Sequence, residues 1–267
     1  MRSATPDSDP APDAGVVTKV ARVTIAFWIA KILATTVGET GGDAFSMSLN
    51  LGYGISSLIF LGFFGIALAA QVSSKRYHPF VYWSVVVATT TVGTTISDYL
   101  DRTLNLGYVK SSILLFCGVL VVLYAWRRAA GRIEFENIGP GKDEIFYWLT
   151  IVVSNTLGTA LGDFAATSTG LGFERGALVF ASLIAIVAMA HFWLKKIPPA
   201  LLFWSAYVLT RPLGATLGDT LTKGHLEGGL ALGRFTSSAT IMTLMITVIL
   251  FTSLSSGAQD HVVRRLT

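Results

Sequence analysis

The sequence predicts an all-α polytopic membrane protein: eight transmembrane helices from four parallel two-helix repeats, with an inner ring of four polar-faced helices. Three observations carry that expectation. Charged residues make up only 13% of the 267 residues and hydrophobic ones 52%, and mean hydropathy is +0.61, whereas soluble domains carry about 25% charge. Apolar runs of about 20 residues recur, the length a helix needs to cross a hydrocarbon core of about 30 Å. One residue pattern returns four times in register, the mark of internal repeats.

That pattern begins with an aromatic residue followed by tryptophan, at Phe27-Trp28, Tyr82-Trp83, Tyr147-Trp148 and Phe203-Trp204. Ten residues after each tryptophan stands a glycine (Gly38, Gly93, Gly158, Gly214) and five later an aspartate (Asp43, Asp98, Asp163, Asp219). Nine further on is a second glycine (Gly52, Gly107, Gly172, Gly228). Each repeat holds two apolar segments, which places helices near 21–48, 54–72, 79–103, 108–126, 144–167, 173–194, 199–222 and 230–253. Residues 1–20, with Pro6, Pro10, Pro12 and three aspartates, read as a disordered cytoplasmic tail without the features of a cleavable signal. A cytoplasmic linker at 129–143, containing Gly139-Pro140-Gly141, separates a membrane half with repeats 1 and 2 (21–128) from one with repeats 3 and 4 (144–255). Residues 256–267 form a second cytoplasmic tail.

An even number of crossings per repeat makes the repeats parallel, about an axis along the membrane normal. Most lysines and arginines, among them Lys19, Lys75, Arg76, Arg127, Arg128 and Lys196, fall on the side of the termini. The bias of basic residues toward cytoplasmic loops therefore predicts both termini inside. The aromatic-Trp pairs are then expected at the inner interface, with the aspartates about 22 Å farther along each helix, toward the outer half.

The first helix of each repeat carries its polar and small residues at steps of three and four, as for a face turned away from lipid. One stripe reads Trp28, Lys31, Thr35, Gly38, Gly42; its equivalents include Thr90 and Ser97, Asn155 and Gly162, Tyr207, Arg211 and Gly218. The adjacent stripe carries Thr36, Glu39 and Asp43, then Thr91 and Asp98, Thr156 and Asp163, Pro212 and Asp219. The second helices, rich in Leu, Ile, Val and Phe and free of charge over Ile55–Ala70, Ile113–Ala125, Ala177–Ala190 and Ile241–Phe251, are expected to face lipid.

Ionisable residues inside a membrane span are costly and mark ion paths, proton relays or substrate sites. Asp43, Asp98, Asp163 and Asp219, with Glu39 and the hydroxyls of Thr36, Thr91 and Thr156, offer the oxygen ligands that suit a hard cation. Against Lys31 and Arg211 the five carboxylates leave an excess of three negative charges, which would attract cations. Equal offsets put Arg211 one turn from Glu39, predicting an ion pair between the first and fourth repeats. Lys31 is expected to reach Asn155 or threonine oxygens, or to snorkel toward the cytoplasm. Pro212 is expected to kink or break the seventh helix.

Other chemistries lack support. Cys117 is the single cysteine, the four histidines show no ligand spacing, and no phosphate loop or nucleophile constellation occurs. No enzyme activity, cofactor or nucleic-acid partner is expected. The lipid bilayer is the expected partner, with a small cation as cargo; the ion's identity and a homo-oligomer are left open.

The repeated pattern, above all Phe27-Trp28-Ile29-Ala30-Lys31 with Thr35-Thr36-Val37-Gly38-Glu39-Thr40-Gly41-Gly42-Asp43, resembles a bacterial family of integral membrane proteins built from a repeat of unknown function. The resemblance covers about residues 22–255 and implies a multi-pass protein of the bacterial inner membrane. The fourth repeat departs most, at Arg211-Pro212 and Lys223-Gly224-His225-Leu226-Glu227. The functional expectation is a transporter or channel-like permease for a small cation. The alternative is a non-transporting assembly or sensor subunit in which the same polar residues brace the bundle.

Overall fold

The computed structural model describes residues 18–136, 138–194 and 196–266, with side chains described as far as Leu254. Among these residues it is all-α, without strands. The long helices are α1 (Ile25–Asp43), α2 (Gly52–Ser73), α3 (Pro79–Asp98), α4 (Tyr108–Ala130), α5 (Lys142–Asp163), α6 (Gly172–Trp193), α7 (Pro199–Thr222) and α8 (Arg234–Leu266). Local chemistry sets their ends. The Thr24 side chain accepts from Phe27 N at the start of α1, prolines open α3 and α7, and Gly131 caps α4 at φ 76°. Pro212 lies inside α7, which nonetheless continues unbroken to Thr222.

Among the described residues, six helices are long and apolar enough to cross a membrane: α2, α4, α6, the first part of α8 (Arg234–Leu254), and α3 and α5 with the turns that follow them. By length and composition, six of the eight expected spans are matched. The two that fall short are α1, interrupted by Lys31, Glu39 and Asp43, and α7, where Arg211, Pro212 and Asp219 stand among threonines and glycines.

In three repeats the first helix departs from α geometry at one point. Immediately after Asp43, Asp98 and Asp163 the helix widens into a single π turn, at Ala44–Ser48, Tyr99–Thr103 and Phe164–Ser168. Each leads into a turn with two positive-φ residues, Asn50 and Gly52, Asn105 and Gly107, Gly170 and Gly172. The second repeat glycine recurs because that turn needs φ near 75°. The fourth repeat has no π turn; α7 ends at Thr222 and a 3-10 turn at His225–Glu227 follows.

The first helices form a closed ring in the order α1, α3, α5, α7, with α7 back against α1. Each outer helix packs against the first helix of the next repeat: α2 on α3, α4 on α5, α6 on α7, and α8 on α1. Packing units are thus out of phase with sequence repeats by one helix, and α4 meets α5 across the 129–143 linker. Outer helices expose rows of apolar side chains, such as Ile55, Leu58 and Phe63 or Ile113, Leu114 and Phe116, which suits a lipid solvent. Cys117 is exposed on α4.

At the tryptophan end, Lys19 and Val20 are buried, so the tail predicted over 1–20 is already packed at those residues; residues 1–17 lie outside the described part. Lys19 Nζ reaches Glu144 at 2.7 Å, its N–H donates to Ile138 O, and Gln71 donates to its carbonyl. Lys19 therefore ties the linker and α5 to α2 instead of standing free. The predicted tail from 256 continues α8 as far as Leu266, and its side chains, like Lys195, lie outside what is described.

Candidate functional site

Glycine builds the ring. A Cβ at Gly38 would stand 2.5 Å from Thr90 Cβ, one at Gly93 2.9 Å from the Asn155 carbonyl carbon, one at Gly158 against the Arg211 side chain, and one at Gly214 2.5 Å from Thr35 Cβ. The first repeat glycine thus always meets the residue seven after tryptophan in the next repeat, round all four seams. One turn on, Gly42 faces Thr94, Gly162 faces Ala215 and Gly218 faces Glu39. Matched advances on both partners show that neighbouring ring helices run parallel, and small residues allow the backbone approach. Hydroxyls bridge the seams: Thr90 Oγ1 donates to Ala34 O, Thr94 Oγ1 to Gly38 O and Thr35 Oγ1 to Thr210 O.

Four layers follow along the axis. The first is aromatic, with each repeat's leading ring on the next repeat's tryptophan: Phe27 on Trp83, Tyr82 on Trp148, Tyr147 on Trp204 and Phe203 on Trp28. The Tyr82 and Tyr147 hydroxyls pair at 2.7 Å. Trp83, Trp148 and Trp204 are buried, so these pairs are core packing between neighbouring ring helices. Beside this layer, in the loop before α3, burial pushes the Tyr77 phenol up to about 12.

The second layer holds Lys31, fully buried, with Nζ 3.4 Å from Asn155 Oδ1 and 4.2 Å from the centre of the Tyr207 ring. Asn155 in turn donates to Thr89 Oγ1 at 3.0 Å. In the third, Arg211 Nη2 lies 2.9 Å from Glu39 Oε2. Arg211 also donates to Thr94 Oγ1 and, at 3.4 Å, to the carbonyls of Thr35 and Thr90. Every group in these contacts is buried.

The fourth layer contains the repeat aspartates, all four between 1% and 2% exposed. Two basic residues divide them into pairs. Arg102 lies 3.2 Å from Asp98 and 3.3 Å from Asp163; Lys223 lies 3.1 Å from Asp43 and 3.3 Å from Asp219. Arg234, from α8, stands 3.6 Å from Asp43. One oxygen each of Glu39, Asp43 and Asp219 lie within 4.8 Å of one another, a spacing that could hold a metal ion. Arg102 and Arg234, with side chains 30% and 23% exposed, connect this layer to the surface.

The structure therefore brings Asp43, Asp98, Asp163, Asp219, Glu39 and Arg211 together around one end of the ring and puts Lys31 and Asn155 side by side below them. Thr36, Thr91 and Thr156 are buried, and each hydroxyl donates to the carbonyl one turn back in its own helix, Ile32, Val87 and Val152. The expected excess of three negative charges is also corrected. Arg102, Lys223 and Arg234 join Lys31 and Arg211, matching Glu39 and the four aspartates one for one. The first two had a sequence signal: both stand nineteen residues after the repeat tryptophan and four after the repeat aspartate, where repeats 1 and 3 carry Met47 and Thr167. One residue of each i, i+4 pair also reaches the next repeat's aspartate, which gives this layer twofold character.

An apolar-surfaced helical bundle, closed from four cyclically packed repeats around a buried charged axis, is the class that fold and site define. The family model described as Repeat of Unknown Function (DUF347) matches four times, over residues 26–77, 81–132, 146–196 and 202–257, and the chain belongs to that family. No curated protein and no solved structure matches it.

Proposed function

We propose that this chain is an integral membrane protein of eight crossings, with α1 and α7 carried through the bilayer inside the ring, and that it is a carrier for a small cation. Both termini lie on the cytoplasmic side of a bacterial inner membrane in this reading, following the basic residues at the tryptophan end. The polarity that keeps α1 and α7 from resembling apolar spans is no obstacle, because those side chains meet protein and not lipid.

The single observation that carries the reading is under-bonded buried carboxylate. Asp43 Oδ1 and Asp98 Oδ2 have neither a hydrogen-bond donor nor an ion-pair partner, and Asp98 Oδ1 and Asp219 Oδ1 meet only the cations of Arg102 and Lys223. A brace selected for stability would satisfy such groups or replace them with apolar side chains, since half-satisfied buried networks cost free energy and buried ion pairs are frequently no better than hydrophobic isosteres. Oxygens lacking donors suit a site that exchanges cations. The aromatic layer closes the axis at its tryptophan end, which favours a carrier reached from the aspartate end over an open pore.

One observation favours the second reading, a non-transporting assembly or sensor subunit: the one-for-one charge matching leaves no net attraction for ions. Replacing Asp43, Asp98, Asp163 and Asp219 singly by Asn, and comparing cation uptake or efflux with the amount of protein in the membrane, separates the two. Lost flux at normal abundance supports the carrier; lost abundance with no flux change in any variant supports the brace.

A further inference from the structure

Resting on the cation reading, we propose that the Lys223 ammonium is a resident counter-ion at the Glu39, Asp43 and Asp219 site, and that a monovalent metal cation takes the same place when the lysine leaves. Three observations converge on this. The first is where the ammonium sits. It lies 3.1 Å from Asp43 Oδ2 and 3.3 Å from Asp219 Oδ1, among the carboxylates whose oxygens come within 4.8 Å of one another. The second is independent of the clustering: Asp43 is 1% exposed, and its Oδ1 has no donor while Oδ2 meets both Lys223 and Arg234. Asp43 Oδ1 thus keeps lone pairs that the lysine does not use and that a metal ion could take as the carboxylate reorients.

The third is the contrast with the equivalent position. Arg102, at the same offset in repeat 2, is held by Asp98, Asp163 and the Tyr53 hydroxyl at 2.9 Å, with the Tyr53 ring 5.6 Å away. Its planar fork is fixed on several sides. Lys223 is a compact point charge on a flexible stem, gripped at its head by two carboxylates alone. Its backbone is anchored, N–H to Asp219 O and carbonyl from Ala231 N, so exchange requires only rotation of the side chain.

Charge then selects the class of ion. Glu39, Asp43 and Asp219 face Arg211, Arg234 and Lys223. Arg211 is locked in the layer beneath, and Arg234 is held off the cluster centre by its bond to Ser48 Oγ. Removing the lysine leaves one uncompensated negative charge, which one monovalent cation cancels and a divalent one overshoots. Oxygen ligands suit a hard alkali ion.

The test uses the full-length protein in detergent, as wild type and as Lys223→Met, in sodium, potassium or choline chloride at one ionic strength, with thermal unfolding followed by tryptophan fluorescence. Lys223→Met is expected to melt lower than wild type in choline. Sodium or potassium then raises its Tm by roughly 3–6 °C at about ten times the ion's Kd, and the three salts leave wild type within about 1 °C. The charge-neutral Lys223→Met/Asp219→Asn pair is expected to lose the ion response. Equal melting of Lys223→Met in all three salts overturns the proposal. If Lys223→Met does not accumulate, recovery of protein by the added Asp219→Asn supports the charge balance, and equal loss in both overturns it. Transport is scored separately from wild-type flux: ion-specific rescue without flux retains this site and removes the carrier, whereas flux without ion-specific rescue does the reverse.

Discussion

Removing Glu39 should be among the most damaging single changes in the ring. Arg211 is fully buried, and Glu39 Oε2, 2.9 Å away, is its carboxylate partner. Breaking a buried pair by deleting one member typically costs 3–5 kcal/mol, because the remaining charge is left in low dielectric. Arg211 would keep the Thr94 hydroxyl and the carbonyls of Thr35 and Thr90, which sets Glu39→Leu near the lower end, about 3 kcal/mol, or roughly a hundred-fold in the folded-to-unfolded ratio. Arg211→Met should cost a comparable amount by stranding Glu39. The double variant removes both charges and should lie within about 1 kcal/mol of wild type, so the cycle should show a coupling of about 5 kcal/mol. Equilibrium unfolding in mixed micelles reads this through Trp83, Trp148 and Trp204, all buried in the aromatic layer. Costs that add to within about 0.5 kcal/mol would refute the idea that the two charges depend on each other.

Three further outcomes are expected. Gly38→Ala and Gly214→Ala, whose new methyls would meet Thr90 and Thr35, should each cost about 1–3 kcal/mol, while Gly41→Ala, with nothing within 4 Å, should be neutral or gain up to about 1 kcal/mol; equal effects by the same unfolding assay would contradict the seams. Arg102→Ala leaves Asp98 and Asp163 without their shared cation, so protein abundance should fall and partly recover in Arg102→Ala/Asp163→Asn; no recovery would argue against the shared-bridge account. Cys117 on the outer face of α4 should resist a charged maleimide in intact membranes, where an apolar surround suppresses the reactive thiolate, and label after unfolding in denaturing detergent; rapid labelling in intact membranes, read as a mass shift, would take α4 out of the lipid.

Much of this architecture was legible because lipid imposes length and repetition imposes register. The apolar runs mark eight helices close to where they lie, and the tryptophan offsets put the aspartates at one level and Arg211 beside Glu39. Spacing along a helix gives depth, however, and not azimuth. Nothing in the sequence says that α2 turns onto α3 instead of α1, since both are available at the same depth, and only the folded packing shows it. The burial of the aromatic pairs was hidden for a related reason. A tryptophan near a helix end suits a headgroup region or a partner ring equally well, and only the closed ring supplies four partners. Arg102 and Lys223 were legible in principle, as basic residues four beyond an aspartate, but they stand where loops begin and resemble interface anchors. Thr36, Thr91 and Thr156 show the same limit: spacing put them on the adjacent stripe, but only the structure shows that their hydroxyl protons go to carbonyls of their own helices.

The most direct test of the central claim is flux through the purified protein in sealed vesicles loaded with sodium or potassium, compared with protein-free vesicles and with Asp219→Asn reconstituted to the same density. The account predicts ion movement above background in the wild type and its loss in Asp219→Asn. Vesicles that stay as tight as the protein-free ones, with correctly folded wild-type protein in their membranes, would contradict it.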